Sequence, residues 1–409
     1  METWYLAYAL MGTTIAGLAP ILLPLYLSRS GSAAQVGLVM AAFSIGGLTA
    51  PVWGAVADKY RLHRILLAGG LFLAAAGLGI FPLAISPAAW LWLAFMQSVG
   101  SACAATIANL FVVEAHPKSE WDRRIGWLQT FYGSGQVIGL FIASIFSREG
   151  QSAGLFLAAG LTFLGILPGW FATHTPDVPP HRRPRLQQPV RHAEWPASGS
   201  PLRFYHYITL GAIREIKKAE RLPFVRFLLS WFLSYTGSAA VFSLYPVLMR
   251  KAYGVPPYLS SLGFAVAAGI GLALYIPAGK LSDSLGAKKI FQAALGVRLL
   301  AAIGLLLLGG THFTDSSWFA LAGFSMVVFS WSLLSVSGTA LTAQLAPSGN
   351  EEGGAIGVFN AVTAFSGVIG AGLGGVVADY WGYAAVPAVA AAGVGLGLIA
   401  ALAGYKKVT

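Results

Sequence analysis

Charge is what this chain has least of. Only 10% of its 409 residues are Asp, Glu, Lys or Arg, while 56% are hydrophobic and the mean hydropathy is +0.69. A soluble domain carries about 25% charged residues. So few charges cannot cover a water-facing surface, so lipid must be much of the solvent. Cysteine is nearly missing: Cys103 stands alone, which excludes an internal disulfide. Polar and apolar residues do not alternate along the chain, which excludes a β-barrel. No nucleophile–base pair, metal cluster or phosphate loop occurs, so neither an enzyme nor a cofactor or metal is expected. No Asn-x-Ser/Thr sequon is present, which points to a prokaryotic source.

What is present is long apolar runs. A bilayer core needs about 20 apolar residues per helix. Twelve runs meet this: 4–27, 33–57, 64–85, 88–115, 122–147, 151–173, 223–250, 257–281, 288–310, 316–345, 353–378 and 384–404. The first has no basic leader and reads as a retained span, not a cleaved signal. Fifty glycines suit close packing of helices in lipid. With the N-terminus inside, 21 of the 26 Lys and Arg fall on the cytoplasmic side and 4 outside. The positive-inside rule therefore puts both termini in the cytoplasm. The expected location is a plasma membrane of bacterial inner-membrane type. Because the basic residues flank spans, the net charge of +11 does not imply nucleic-acid binding.

One pattern occurs twice, 225 positions apart: Gly54-x-x-x-Asp58-Lys59 and Gly279-x-x-x-Asp283, each closing an apolar run and each followed by basic residues. Further matches pair Ile138-Gly139 with Ile369-Gly370, Gln129 with Asn360 and Glu114 with Gln344. These are the marks of a duplicated bundle with its substrate site between the repeats. Three regions follow: a six-helix half over 1–173, a linker over 174–222, and a second six-helix half over 223–409. The linker begins rich in Pro, Arg and His. Over 202–221, Phe204, Ile208, Ala212 and Ile216 recur every four residues, and Arg214, Lys217, Lys218 and Arg221 take other faces. That is a basic amphipathic helix, lying in the inner-leaflet interface or as a solvated strut beneath the bundle.

At these residues the chain resembles the major facilitator superfamily, and its loop motifs are nearest to the drug-efflux type. The resemblance implies an all-α polytopic fold of twelve transmembrane helices in two pseudo-symmetric halves, working by alternating access. The family's loop motif runs Gly-x-x-x-Asp-(Arg/Lys)-x-Gly-(Arg/Lys)-(Arg/Lys). The second copy keeps Gly279, Asp283, Gly286, Lys288 and Lys289. The first keeps Gly54, Asp58 and Lys59, but Arg61 replaces the loop glycine, and Arg64 follows. The resemblance implies that the first motif meets the start of the eleventh span near Gly353-Gly354, with Arg123 or Arg124 completing a charge cluster. The glycines would let helices approach. The carboxylates would cap neighbouring helix starts, where the dipole favours negative charge. Gating is one reading of these acids, and simple capping is the other. Two antiporter signatures are degraded: Ala94 stands at the Arg place of span four, and Leu140 at the Pro place of span five.

No acid lies at mid-span. Glu114, one turn inside span four, is the deepest carboxylate: either a proton site or a partner of Arg123 or Arg124. Arg298 lies ten residues past Lys288, about 15 Å along a helix and near mid-bilayer. It either attracts an anion or bonds neighbouring carbonyls from a peripheral span. Spans 1, 4, 7 and 10 are expected to form the cavity, aided by 2, 5, 8 and 11. The candidate lining is Tyr8, Thr13, Gln97, Thr106, Asn109, Gln129, Tyr132, Trp231, Tyr235, Thr236, Phe242, Trp331, Ser335 and Asn360. Pro24 and Pro246 are candidate kinks in gating helices. Such a pocket suits an amphipathic solute. The leading expectation is a monomeric secondary transporter exporting hydrophobic or amphipathic small molecules, with protons as a candidate coupling ion. The alternatives are an anionic metabolite or lysolipid held by Arg298, or a receptor or scaffold without transport.

Overall fold

The computed structural model describes residues 4–60, 62–115, 120–172, 218–309, 316–345 and 352–404; within these, the side chains at 58, 59, 113–115, 121–123, 218–221 and 352–354 are not described. The Pro-rich linker over 174–201 and the amphipathic segment up to 217 lie outside the described residues, as does Arg61.

Twelve spans fill the described residues, and no strand is found among them: α1 Tyr5–Leu27, α2 Ala33–Ala57, α3 His63–Leu83, α4 Pro87–Val112, α5 Trp121–Phe146, α6 Gln151–Phe171, α7 Leu222–Tyr253, α8 Pro257–Leu285, α9 Ala287–Gly309, α10 Ser316–Leu345, α11 Ala355–Trp381 and α12 Tyr383–Leu402. Eleven are long and apolar enough to cross a bilayer. The exception, α5, has the length, 26 residues, but spends its first turn on Asp122, Arg123 and Arg124 and carries Gln129, Thr130 and Gln136. Successive helices run antiparallel, so their ends fall on two faces. The basic end carries residues 60, 62–63, 285–287 and the start of α5. The far end carries residues 28–32, 147–150 and 382. Gly286 ends α8 at φ +89°, a left-handed turn that a side chain would strain, and its N–H reaches the Ser282 carbonyl at 3.0 Å.

Two helices are irregular, each for a local reason. Pro20 has no N–H for the α1 ladder, and the turns over Gly12–Leu18 widen to π spacing just before it. Thr13 and Thr14 hydroxyls donate to the Ala9 and Leu10 carbonyls at 3.0 and 3.1 Å. In α2, Pro51 follows a tightened turn over Gly46–Thr49. The Gly46 N–H donates instead to the Ser98 hydroxyl of α4, at 2.6 Å. Pro24 and Pro246 lie inside α1 and α7.

Glycine seams hold neighbouring helices together. A Cβ on Gly12, Gly135 or Gly139 would overlap the Tyr132, Ala9 or Thr13 carbonyl, so α1 and α5 touch backbone to backbone. The repeat reappears in three dimensions: Gly139 meets the Thr13 carbonyl in the first copy, and Gly370 meets the Thr236 carbonyl in the second. Contact between the first six helices and the last six runs through α2 with α11, α5 with α8, and α1 with α7. On α2, Gly37 faces Gly375 so closely that an added Cβ would come within 2.6 Å of its Cα.

The two ends differ. At the far end a single apolar core takes in Ile21–Leu25 of α1, Val36–Met40 of α2, Leu244–Met249 of α7 and Phe264 of α8. At the basic end the core splits in two. One part, around Tyr5, Leu71 and Phe111, belongs to α1–α5; the other, around Phe227, Phe291 and Phe359, belongs to α7–α12. Two polar contacts seal the far end. Asp379 Oδ1 accepts the Ala33 N–H at 3.1 Å, at the start of α2, beside the Ser32/Gln35 capping box. The Arg148 guanidinium sits 4.3 Å over the Tyr258 ring at the start of α8. Arg148 and Asp379 keep the spacing of Gly139 and Gly370, and Ala33 and Tyr258 keep that of the loop motifs. The contacts are therefore the two copies of one feature, a side chain at the far end of α5 or α11 set over the first turn of α8 or α2.

Two outcomes are expected. Gly375→Leu should lower thermal stability in detergent by about 1–3 kcal/mol, because the backbone contact with α2 leaves no room; an unchanged Tm would contradict the seam. Asp379→Asn removes a charge-assisted bond at a helix start, worth about 1 kcal/mol. A Val36→Cys reporter in a Cys103→Ser background should then react several-fold faster with maleimide, and an unchanged rate would remove the latch.

Candidate functional site

The gap between the split cores is a cavity of about 1250 Å³. Trp127, Gln129, Thr130, Ala273 and Tyr275 on its walls are exposed toward the basic end, while Met40, Ser243 and Phe264 toward the far end are buried. The cavity is therefore open on the basic side and closed by the far-end core. α5 gives Trp127, Gln129, Thr130, Tyr132 and Gln136; α8 gives Phe264, Ala268, Leu272, Tyr275 and Ile276. α7 gives Tyr235, Ser238, Phe242 and Ser243; α10 gives Val328, Trp331, Ser332 and Ser335. α1, α2 and α11 add Ala16 and Pro20, Met40, Phe43 and Ser44, and Gly367 and Ala371.

Arg298 of α9 reaches this lining although it is only 2% exposed. Its Nε donates to the Ser330 hydroxyl, Nη1 to the Ser238 hydroxyl and Nη2 to the Val327 carbonyl, each at 3.0 Å. The Trp331 ring lies 5.7 Å from the guanidinium carbon. Arg298 thus bonds neighbouring helices and also reaches the cavity wall. The α9 helix packs on α10 and α12 with Leu300 and Leu307 on its exposed side, and it is turned so that this one residue passes between α7 and α10. Tyr235 packs on Trp331 with centroids 5.7 Å apart, and the Tyr275 hydroxyl faces Ser335 and Trp331.

Of the fourteen expected lining residues, Gln129, Tyr132, Tyr235, Phe242, Trp331 and Ser335 meet in the cavity. The other eight do not line it. Tyr8 is buried under Tyr132, with Gln129 and Asn109 beside its hydroxyl. Thr13, Thr106 and Asn109 donate to carbonyls of their own helices. Trp231 donates to the Thr363 hydroxyl inside an aromatic cluster. Thr236 faces the α11 seam, and Gln97 is buried against Gly77 of α3; neither side chain has a hydrogen-bond partner among the described residues. Asn360 is exposed outside the lining. The expectation that α4 is a cavity helix fails as a whole. Gly70 and Gly100 press α3 and α4 together, and the polar groups of α4 are taken up by that seam, by Gly46 of α2, by Tyr8 of α1 or by its own backbone. Sequence reasoning missed Ser238, Ser243, Ser332, Tyr275 and most of α8. Serines at every fourth place, Ser230, Ser234 and Ser238, were the available signal on α7.

The loop motifs sit at the open end. Gly279 has nothing within 4 Å of an added Cβ, and Gly54 meets only Thr106 Cγ2 at 3.9 Å, so the expected close approach is not made in this conformation. Arg64 donates to the Trp170 carbonyl and lies over its ring, and Arg124 pairs with Glu120 at 2.8 Å. The side chains of Asp58, Lys59, Glu114 and Arg123 lie outside what is described, as do the surroundings of Gly353-Gly354. Asp283, Lys288 and Lys289 flank the Gly286 turn.

Solved structures of transporters share this architecture at low identity. The chain matches the nucleoside transporter NupG with a TM-score of 0.71 and 15% identity, covering 98% of this chain and 96% of that one. It matches a D-xylose-proton symporter with a TM-score of 0.71 and 14% identity, covering 100% and 97%. A POT family transporter in complex with 5-aminolevulinic acid gives a TM-score of 0.73 and 13% identity, covering 98% and 94%. Among curated sequences, "Probable anion transporter 4, chloroplastic" of Arabidopsis thaliana is 30% identical over 185 residues. That match spans 44% of this chain and about a third, 34%, of the plant protein's length. With the Major Facilitator Superfamily model matching residues 4–349 of an all-helical, twelve-span bundle, the chain belongs to that superfamily.

Proposed function

We propose that the protein is a secondary transporter that carries a small organic anion by alternating access, with Arg298 as the anchor for its negative charge. The observation that carries this reading is the position of Arg298. It is a buried guanidinium on the wall of the central cavity, bonded only to neutral acceptors among the described residues. A buried charge without a counter-ion is costly, and such residues inside a membrane protein mark substrate or ion pathways. The 30% likeness to a probable anion transporter supports the same direction. Transport rests on the family and on the transporter neighbours.

The cycle follows from the two ends. The halves over 1–173 and 223–409 rock about the cavity, with 174–222 as the tether. Closing the basic end would bring Asp58 and Asp283 to helix starts across the interface, while the Asp379 and Arg148 contacts release at the far end. The basic end is the cytoplasmic one on the positive-inside rule. No Asp, Glu or His is among the lining residues, so a proton would have to be carried elsewhere, with Glu114 the first residue to test. A second reading, export of hydrophobic or amphipathic compounds, draws on the aromatic walls formed by Phe43, Trp127, Phe242, Phe264 and Trp331.

Two substitutions separate these readings. Arg298→Gln should weaken binding of organic anions to the purified protein by roughly ten- to a hundredfold, the loss of charged hydrogen bonds. Equal binding by wild type and variant would end the anion reading. If cells expressing Arg298→Gln still excluded neutral and cationic dyes as wild type does, the export reading would stand. Asp58→Asn should slow transport in proteoliposomes while leaving ligand affinity within about twofold; unchanged flux would remove the gating role.

A further inference from the structure

The cavity is specific about how much negative charge it can neutralise. Arg298 is its one Lys, Arg, His, Asp or Glu among the described lining residues. The two hydroxyls that hold the guanidinium have already given their own protons away. Ser330 donates to the Val327 carbonyl at 2.7 Å and Ser238 to the Ser234 carbonyl at 2.8 Å, so both meet Arg298 purely as acceptors. These bonds fix the side chain without neutralising it. A guanidinium has five N–H groups. Three are used, which leaves one on each terminal nitrogen, the number a single carboxylate takes. The surrounding wall is aromatic: Trp331 over the guanidinium, then Tyr235 and Phe242. The facing wall of α5 offers only neutral groups, Gln129, Thr130 and Gln136.

Building on the anion reading above, we propose that the site selects monoanions: one carboxylate on an aromatic body, in preference to doubly charged anions and to small carboxylates without such a body. One negative charge brings the loaded cavity to neutrality. A second would be held in a mostly apolar cavity with no cation to meet it, and an unpaired charge there is strongly disfavoured. The body matters because a large part of the cavity wall is ring surface, which small anions leave unfilled. A neutral ring compound fills the same space but leaves the guanidinium as it was.

The test uses the full-length protein purified in detergent and a matched series of probes: benzoate, terephthalate, acetate, inorganic phosphate and benzyl alcohol. Affinities are read from the ligand dependence of Tm for wild type, Arg298→Gln, Arg298→Lys and Trp331→Leu. Benzoate is expected to bind at least about tenfold more tightly than terephthalate, acetate, phosphate or benzyl alcohol. Arg298→Gln should abolish that preference. Arg298→Lys, which keeps the charge and serves if the Gln variant does not fold, should preserve the order at lower affinity. Trp331→Leu should weaken benzoate several-fold more than it weakens acetate. If terephthalate, acetate or phosphate bound as well as benzoate while still depending on Arg298, the monoanion inference would fall and the anion reading would survive. If benzyl alcohol matched benzoate and Arg298→Gln changed nothing, both would fall. Absence of binding by every probe would likewise overturn the monoanion inference.

Discussion

A bilayer offers the backbone no hydrogen-bond partner, and most of this structure follows from that. Every span must close its own ladder, so the chain is helical wherever it crosses. Departures occur only where a replacement bond is at hand. The α2 helix tightens before Pro51 because the Ser98 hydroxyl takes the Gly46 N–H. The α1 helix widens before Pro20 with Thr13 and Thr14 bonded back to its carbonyls. With no hydrophobic effect to draw helices together inside lipid, close contact has to come from small residues. The seams of α1 with α5 and of α7 with α11 are built on glycines for that reason.

The same economy of polar groups sets up the site. One continuous apolar core closes the far end, and two separate cores leave the basic end open. Between them lies a space walled by rings and hydroxyls, with a single guanidinium held by two serines and a carbonyl. These bonds satisfy the geometry of Arg298 but leave its charge without a counter-ion among the described residues, which is costly for a buried group. In the proposed function, an anion entering from the open side is that missing partner. The far-end contacts made by Asp379 and Arg148 come from exposed side chains and are duplicated, which suits the breakable seal that the proposed cycle calls for.

Much of the architecture was legible in the residues. Runs read as 33–57, 316–345 and 257–281 correspond to Ala33–Ala57, Ser316–Leu345 and Pro257–Leu285. The repeat was visible because glycine is hard to replace where backbones touch, and Gly139 and Gly370 occupy equivalent contacts. The membership of the cavity was less legible. Gln97 and Asn109 looked like lining by chemistry alone, yet Gln97 is packed against Gly77 of α3 and Asn109 is bonded to the Ala105 carbonyl beside Tyr8. Tyr275 and Ser332 looked ordinary and are lining.

By itself, then, the sequence determined the number of spans, their rough ends, the end that carries positive charge and the place of Arg298 halfway along its helix. These depend on hydropathy, on charge at span ends and on a rise of about 1.5 Å per residue. Only the tertiary structure decided which side of each helix faces the centre, that α9 sends its arginine between α7 and α10, and which end is shut. Those outcomes depend on rotation about each helix axis and on how two bundles meet. Nearly uniform apolar helices leave that rotation to steric fit at the glycine seams, a property of pairs of helices that no single run of residues contains.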